Sequence, residues 1–380
     1  MRMYARGIRH LAKCRRWREA VDVLSGIRKV GRAPDRYCLT AAINACGAAG
    51  EWQQAVSLLG EAHNRSAVDV VCFNSAITAC GNGGQWELAV ALLRKMKSFG
   101  LTPDEITYNS AITACGNGCR PEEAVSLLRE MKTCGVAPNV ISYTSAIKAC
   151  GSQWALAVSL LREMENAGIT PSAFSYNTAI TTCGNGGKWE QAMSLLTEMQ
   201  GAGVDANVVS YNSVIKACEG QWEVALSLLR KMEPAGVTPD VISYTSVIKA
   251  CGKGGQWEEV LSLLREMETS GPAPNAISYN SAITACGNGG QPRHAVSLLR
   301  EMKAAGVSPD VISYTSAIEA LAKDGKWEEA VSLLREMDTV GVTPNEISYA
   351  AAIKACHNAD RQDEVTALLS EMETVGAHLR

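Results

Sequence analysis

Aromatic residues are scarce in this 380-residue chain: 3 Phe, 8 Trp and 10 Tyr make up 6% of it. Histidine is scarcer. The five residues, His10, His63, His294, His357 and His378, share no spacing, and each reads as a surface residue. No histidine constellation is therefore available for acid–base catalysis or metal ligation. The 14 cysteines contain no C-x-x-C pair, so neither a metal site nor a redox motif is expected. An excess of one charge sign is also missing, with 36 Lys+Arg against 39 Asp+Glu. That balance, with 47% hydrophobic residues, excludes a disordered chain. No apolar run approaches the ~18–20 residues that a membrane-spanning helix needs. The glycine-rich segments follow no strand-like run, so they are not phosphate cradles.

What is present is periodic. Tyr108, Tyr143, Tyr176, Tyr211, Tyr244, Tyr279, Tyr314 and Tyr349 step by 33 or 35 residues. Trp17, Trp52, Trp86, Trp154, Trp189, Trp222, Trp257 and Trp327 follow the same beat, with Pro121 and Pro292 in two intervening slots. At ~150 residues per domain the length alone suggests two or three domains. The period instead divides the chain into eleven units: 1–35, 36–69, 70–104, 105–139, 140–172, 173–207, 208–240, 241–275, 276–310, 311–345 and 346–380. This predicts one array over 1–380 rather than separate globular domains.

Positions are numbered 1 to 35 within a unit. Apolar residues at 4, 8 and 11 (Tyr279, Ile283, Cys286) lie on one face of a helix. A second set at 17, 20, 21, 24 and 27 (Trp257, Val260, Leu261, Leu264, Met267) predicts a second amphipathic helix. A glycine-rich joint separates them, as in Gly287-Asn288-Gly289-Gly290. The two 33-residue units shorten that joint, at Gly151-Ser152-Gln153 and Glu219-Gly220-Gln221. Gly at position 31 (Gly236, Gly306, Gly341) predicts a left-handed stop, and Pro at 34 (Pro239, Pro309, Pro344) a break before the next helix. One such hairpin cannot bury its apolar face alone. The expected fold is all-α: an α-solenoid superhelix of about eleven helix-turn-helix hairpins. Nine cysteines occupy position 11 (Cys46, Cys80, Cys115, Cys150, Cys183, Cys218, Cys251, Cys286, Cys356), where Leu11 and Leu321 also occur, so they read as packing residues. So many unpaired thiols imply a reducing compartment.

The unit 241–275, with its Y-T or Y-N pair, A-C-G, W-E, L-L-R-E-M and final P-N or P-D, resembles the pentatricopeptide repeat (PPR), and the resemblance covers every unit. The tetratricopeptide repeat, a peptide binder, is the nearest rival, but its Trp lies early in the first helix, whereas here it opens the second. Within the chain, position 5 alternates mainly between Asn and Thr and position 35 between Asp and Asn, while most positions are nearly uniform. Asp, Asn or Ser after Pro is also an ordinary N-cap, so position 35 has a structural reading as well.

The resemblance implies a P-type array that binds single-stranded RNA, one base per repeat, through positions 5 and 35. It implies G for Thr40 with Asp69. It implies U for Asn74 with Asp104, Asn212 with Asp240 and Asn280 with Asp310. Asn109 with Asn139 and Asn177 with Asn207 imply C with U tolerated, and Thr245 with Asn275 and Thr315 with Asn345 imply A. Thr144 with Ser172 implies a purine. In chain order the site is roughly 5′-GUCRCUAUA. Position 2 would wedge between bases, and carries Val71, Ile106, Ile141, Phe174, Val209, Ile242, Ile277, Ile312 and Ile347, all apolar. Position 13, a phosphate-contact slot in relatives, is Lys at Lys13, Lys253 and Lys323, of which Lys253 and Lys323 lie in coding repeats. Ala5, and Ala350 with Arg380, lack coding side chains and read as end caps.

Net charge −3 is unusual for a nucleic-acid binder. Positions 1–13 of all units, however, hold eleven basic residues against Glu105, Glu219, Glu319 and Glu346, a local +7 that leaves −10 elsewhere. No cofactor, metal or enzyme activity is expected, and neither a deaminase-like editing domain nor a nuclease domain, as some relatives carry. Residues 1–18 are Arg-rich and acid-free like an organellar transit peptide, yet Tyr4, Ile8, Leu11 and Trp17 keep the repeat register. The resemblance implies a chloroplast or mitochondrial setting and a role in transcript processing, stability or translation, with recruited processing factors as further partners. The alternative is a protein-scaffolding solenoid.

Overall fold

The structure, a computed structural model, describes residues 2–65, 68–269 and 271–378. The Arg380 reading lies outside the described residues. Two compact units divide the chain, Met1–Asp205 and Ala206–Arg380. The first contains six helical hairpins: Arg2–Lys13 with Trp17–Lys29, Arg36–Ala49 with Trp52–Asn64, Val70–Asn82 with Trp86–Ser98, Glu105–Asn117 with Pro121–Thr133, Val140–Ala149 with Trp154–Asn166, and Ala173–Asn185 with Trp189–Gly201. The second contains five: Val208–Ala217 with Trp222–Met232, Val241–Lys253 with Trp257–Thr269, Ala276–Asn288 with Pro292–Ala304, Val311–Lys323 with Trp327–Thr339, and Glu346–Asn358 with Gln362–His378. The first helix of each hairpin is termed A and the second B. Among the described residues there is no strand, and no helix is long and apolar enough to cross a membrane. The fold is an all-α solenoid of stacked hairpins. Within each unit, every A helix packs against its own B helix and against the next A helix.

From the second repeat onward, each A helix begins at the first residue of a sequence unit. The cause is the residue before it. Asp104, in extended backbone, accepts a hydrogen bond from Thr107 N at 2.9 Å, and the Thr107 hydroxyl accepts one in return from Asp104 N. Ser replaces Thr in the same reciprocal cap at Asn139, Ser172, Asn207, Asp240, Asn275, Asp310 and Asn345. A cap of this kind contributes ~1 kcal/mol. The predicted glycine stops are left-handed, with φ 76° at Gly236 and Gly306 and 78° at Gly341. In the two short repeats the A helix itself ends early, at Ala149 and Ala217, while Cys150 and Cys218 stay buried.

The core is the expected one with two corrections, at the Trp residues and at Leu261, which is half-buried. Tyr279, Ile283 and Cys286 of the A helix are fully buried with Leu299 and Met302 of the B helix. Burial pushes the position-11 thiols up, to about 11 for Cys286 and about 12 for Cys251, so they are inert packing groups. All eight Trp, expected in the core, are only half-buried. Each opens its B helix, and the joint of the next repeat covers Trp52, Trp86, Trp154, Trp222 and Trp257. A Cβ on Gly289 would lie 2.6 Å from Trp257 Cδ1, and the same closeness recurs for Gly83 on Trp52, Gly118 on Trp86 and Gly254 on Trp222.

Candidate nucleic-acid interface

The A helices carry the predicted residues at positions 2, 5 and 13, and those at position 35 cap them. Position 2 follows the N-cap by two residues and turns away from the core. Val71, Ile106, Ile141, Phe174, Val209, Ile242, Ile277, Ile312 and Ile347 are 51–69% exposed. In a chain whose other large apolar side chains are mostly buried, so regular a row of exposed ones is unusual. Tyr37 holds the same position in the second repeat and is 56% exposed. It lies outside the main Tyr column, and its own register would have placed it in this row.

Position 5 lies at the base of the row. Asn74, Asn109, Asn280, Thr144 and Thr315 are buried, and Thr40, Asn212 and Thr245 are half-buried. The Asn side chains reach the position-35 residue that ends their own repeat. Asn74 Nδ2 donates to Asp104 Oδ1 at 3.1 Å, Asn212 to Asp240 at 3.0 Å, Asn280 to Asp310 at 3.1 Å, and Asn109 to Asn139 at 3.4 Å. Each of these Asn Oδ1 atoms accepts from the position-3 hydroxyl of the next repeat: Thr107, Ser142, Ser243 or Ser313. Thr at position 5 uses the same partner. Thr144 bonds Ser175, Thr245 bonds Ser278 and Thr315 bonds Ser348, at 2.7–2.8 Å, and Thr40 meets Cys72 Sγ at 3.1 Å. The structure thus joins the two predicted coding positions in the Asn repeats, and gives position 5 a structural bond that the sequence reading did not assign it. Asn177 and Asn207 fall in different units. Within its own unit Asn177 is buried with no partner for Oδ1.

The N-cap reading of position 35 therefore holds as well. Asp69, Asp104, Asn139, Ser172, Asn207, Asp240, Asn275, Asp310 and Asn345 all cap the following helix. The Asp and Asn caps use Oδ1 for the helix, and Asp104, Asn139, Asp240 and Asp310 use it for a position-5 Asn as well. These bonds leave the second atom unspent: an acceptor oxygen in Asp, a donor NH₂ in Asn. Asn139 alone among them gives its amide to another side chain, Glu105. Burial works against the carboxylates of Asp104, Asp240 and Asp310. Hydrogen bonds from Thr107, Ser243 and Ser313, and from Asn74, Asn212 and Asn280, outweigh it and hold them below the usual range. A cleft of about 280 Å³ lies between Ile106 and Ile141 with Asn109 among its lining residues.

The predicted phosphate contacts are partly engaged. Lys253 pairs with Glu219 at 3.1 Å and Lys249 with the same carboxylate at 3.3 Å. Lys323 donates to Asn288 Oδ1 at 2.8 Å. At three of the Asn in position 13 the amide reaches back to a carbonyl of the preceding A helix: Asn82 to Gly47, Asn117 to Gly81 and Asn358 to Ala322. The acidic B helices are cross-linked on the far side. Glu130, Glu163 and Glu336 each take a lysine from the preceding repeat, Lys97, Lys132 and Lys303, and a hydroxyl from their own Tyr108, Tyr143 and Tyr314. Among the described residues no cluster of His, Cys, Asp and Glu is arranged to hold a metal ion.

Models of the PPR repeat family match residues 68–117, 103–152, 171–219, 239–288, 274–323 and 309–358, and a PPR repeat model matches 37–66 and 209–233. Among solved structures, the pentatricopeptide repeat protein PPR10 from maize covers 97% of this chain at 26% identity and TM-score 0.69. PPR10 in complex with an 18-nucleotide psaJ RNA element covers 97% at 28% identity and TM-score 0.52. This chain spans 58% and 53% of those two chains. No curated protein matches it.

Proposed function

The chain belongs to the PPR repeat family, and from that premise we propose that it binds single-stranded RNA with one base per repeat. It acts without catalysis, by occupying an organellar transcript: shielding it from nucleases, remodelling its structure or presenting it to processing factors. The observation that carries this reading is the row of exposed position-2 side chains above paired position-5 and position-35 polar groups. An apolar side chain on either side of a base replaces stacking with its neighbours, and a polar floor meets the base edge. The RNA-bound PPR10 structure supports the same reading.

The unspent atom at position 35 supplies a physical reason for the carried-over pairings. Uracil and guanine present a ring N–H on the Watson–Crick edge, which the free Asp oxygen accepts. Cytosine and adenine present a bare ring nitrogen, to which the Asn NH₂ donates. Position 5 then separates pyrimidine from purine, Asn from Thr. The assigned site is 5′-GUCRCUAUA in chain order. The organellar setting rests on the family resemblance alone.

The test is equilibrium binding of the full chain to 5′-GUCACUAUA and to a scrambled oligonucleotide at moderate salt. A preference of about tenfold or more is expected, since each mismatched base forfeits polar contacts worth ~1 kcal/mol or more. Equal binding would overturn the RNA reading and leave a protein scaffold. The double variant Asn280→Thr with Asp310→Asn recreates the Thr245–Asn275 combination and moves that base from U to A. An unchanged preference rules out the pairings.

A further inference from the structure

The first repeat departs from the coding repeats in a way that the role of an inert cap does not require. Its position 5 is Ala5, buried, with only a methyl group where the coding repeats carry an amide or hydroxyl. Beside it opens a cleft of about 610 Å³ lined by Met3, Ala5, Arg6, Arg9 and Tyr37. This is about twice the volume of the cleft between Ile106 and Ile141. Arg6 and Arg9 are exposed, and neither guanidinium has a partner among the described residues. Tyr37 forms one wall, 56% exposed. The Arg36 guanidinium lies 5.0 Å from the Tyr37 ring centroid and donates to the hydroxyl at 3.1 Å. Among the exposed position-2 side chains of repeats two to eleven only this one is Tyr, the rest being Val, Ile or Phe.

We propose that the first repeat is a base-indifferent nucleotide seat, with Tyr37 stacking on the base of the nucleotide immediately 5′ of the coded stretch and Arg6 and Arg9 holding the phosphate that joins the two. The proposal rests on the RNA reading above and its chain-order polarity. Two unpaired guanidinium groups facing one cleft suit a phosphate, which accepts bidentate hydrogen bonds. An aromatic wall suits any base, because every base has a π-face. With no donor or acceptor at Ala5, the floor cannot distinguish one base from another. The footprint then extends from nine nucleotides to ten, the tenth contributing affinity without specificity.

The experiment compares the nine-mer 5′-GUCACUAUA with the four ten-mers that add A, C, G or U at its 5′ end, using the full chain. All four are expected to bind about five- to tenfold tighter than the nine-mer, to the same extent. The slope of log affinity against log salt steepens by about 0.7 for the added phosphate. Arg6→Gln with Arg9→Gln removes that added slope. Tyr37→Ile, which installs the residue six other repeats carry at this position, removes most of the gain and keeps the slope. No gain from the tenth nucleotide, or a gain for one base alone, overturns the seat. A nine-mer bearing only a 5′-phosphate that reproduces the whole gain overturns the stacking role of Tyr37. If the nine-mer itself shows no preference over its scramble, the RNA reading fails and the seat with it.

Discussion

Asn280 and Asp310 are 30 residues apart in sequence and joined side chain to side chain, Nδ2 to Oδ1, at 3.1 Å. The same Asp310 oxygen caps the helix that begins at Val311, and the Ser313 hydroxyl closes the loop onto Asn280 at 2.6 Å. Three side chains from two repeats thus share one hydrogen-bonded knot, so the residues proposed to read a base also fasten one hairpin to the next.

That knot makes a prediction about stability. Asn280→Ala removes the bonds to Ser313 and Asp310, leaving the Ser313 hydroxyl only its Asp310 partner, and costs about 1–2 kcal/mol. Asn280→Thr costs less than about 1 kcal/mol, because a threonine there reaches the next serine, as Thr315 reaches Ser348. Urea unfolding midpoints of the full chain separate the two. Equal midpoints for the Ala and Thr variants would show that the knot contributes nothing to stacking.

Under the proposed RNA reading, Glu219 competes with RNA for Lys253 and Lys249, with which it pairs. Burial disfavours its charged form, but the hydrogen bonds and charges of the two lysines prevail and keep its carboxyl below the usual range. The ion pairs are therefore complete at neutral pH and persist as pH falls through ~4.3, the ordinary glutamate value, loosening only below it. Glu219→Gln frees both lysines. It is expected to tighten RNA binding several-fold at low salt and to steepen the salt dependence, by up to about 0.7 in slope for each lysine that then meets a phosphate. A variant with unchanged affinity and slope would place these lysines away from the RNA.

Cys119 occupies a joint position where most repeats carry glycine, and adopts φ 51°. Gly290 and Gly325 at the equivalent site have φ 68° and 69°. A side chain pays about 1 kcal/mol in this left-handed region that glycine does not. Cys119→Gly should raise stability by roughly that amount, read as a shift in thermal or urea midpoint. Gly290→Cys should lower it by a similar amount. No change in either would mean that the joint relaxes freely.

The sequence carried the hairpins, their order and the A-helix starts, because each depends on residues within a few positions of one another. Helical periodicity, the Asp or Asn cap before residue 105 or 311, and the glycine stops all act locally. What it did not carry depends on register between repeats. The bond that Thr107 donates to Asn74 spans 33 residues and needs two A helices to be aligned before it can be inferred. The half-burial of Trp257 depends in the same way on Gly289 of the next repeat. The serine at position 3 was legible in principle, since a hydroxyl three residues after Asp or Asn is a capping pattern. The division at Asp205 has no counterpart in the period.

The cap at position 35 ends one sequence repeat and starts the helix of the next, so the bonded clusters belong to boundaries and not to hairpins. Six hairpins in Met1–Asp205 enclose five such boundaries, and five in Ala206–Arg380 enclose four. Cutting a single hairpin out at its own ends and grafting it elsewhere would divide two clusters and transplant neither intact. The exchangeable cassette runs from one A helix through to the first turn of the next, about one helical turn longer than the repeat by which the chain is counted. Duplication in whole periods restores every boundary wherever the break falls, which gives an array of this kind a simple route to lengthen without losing a junction.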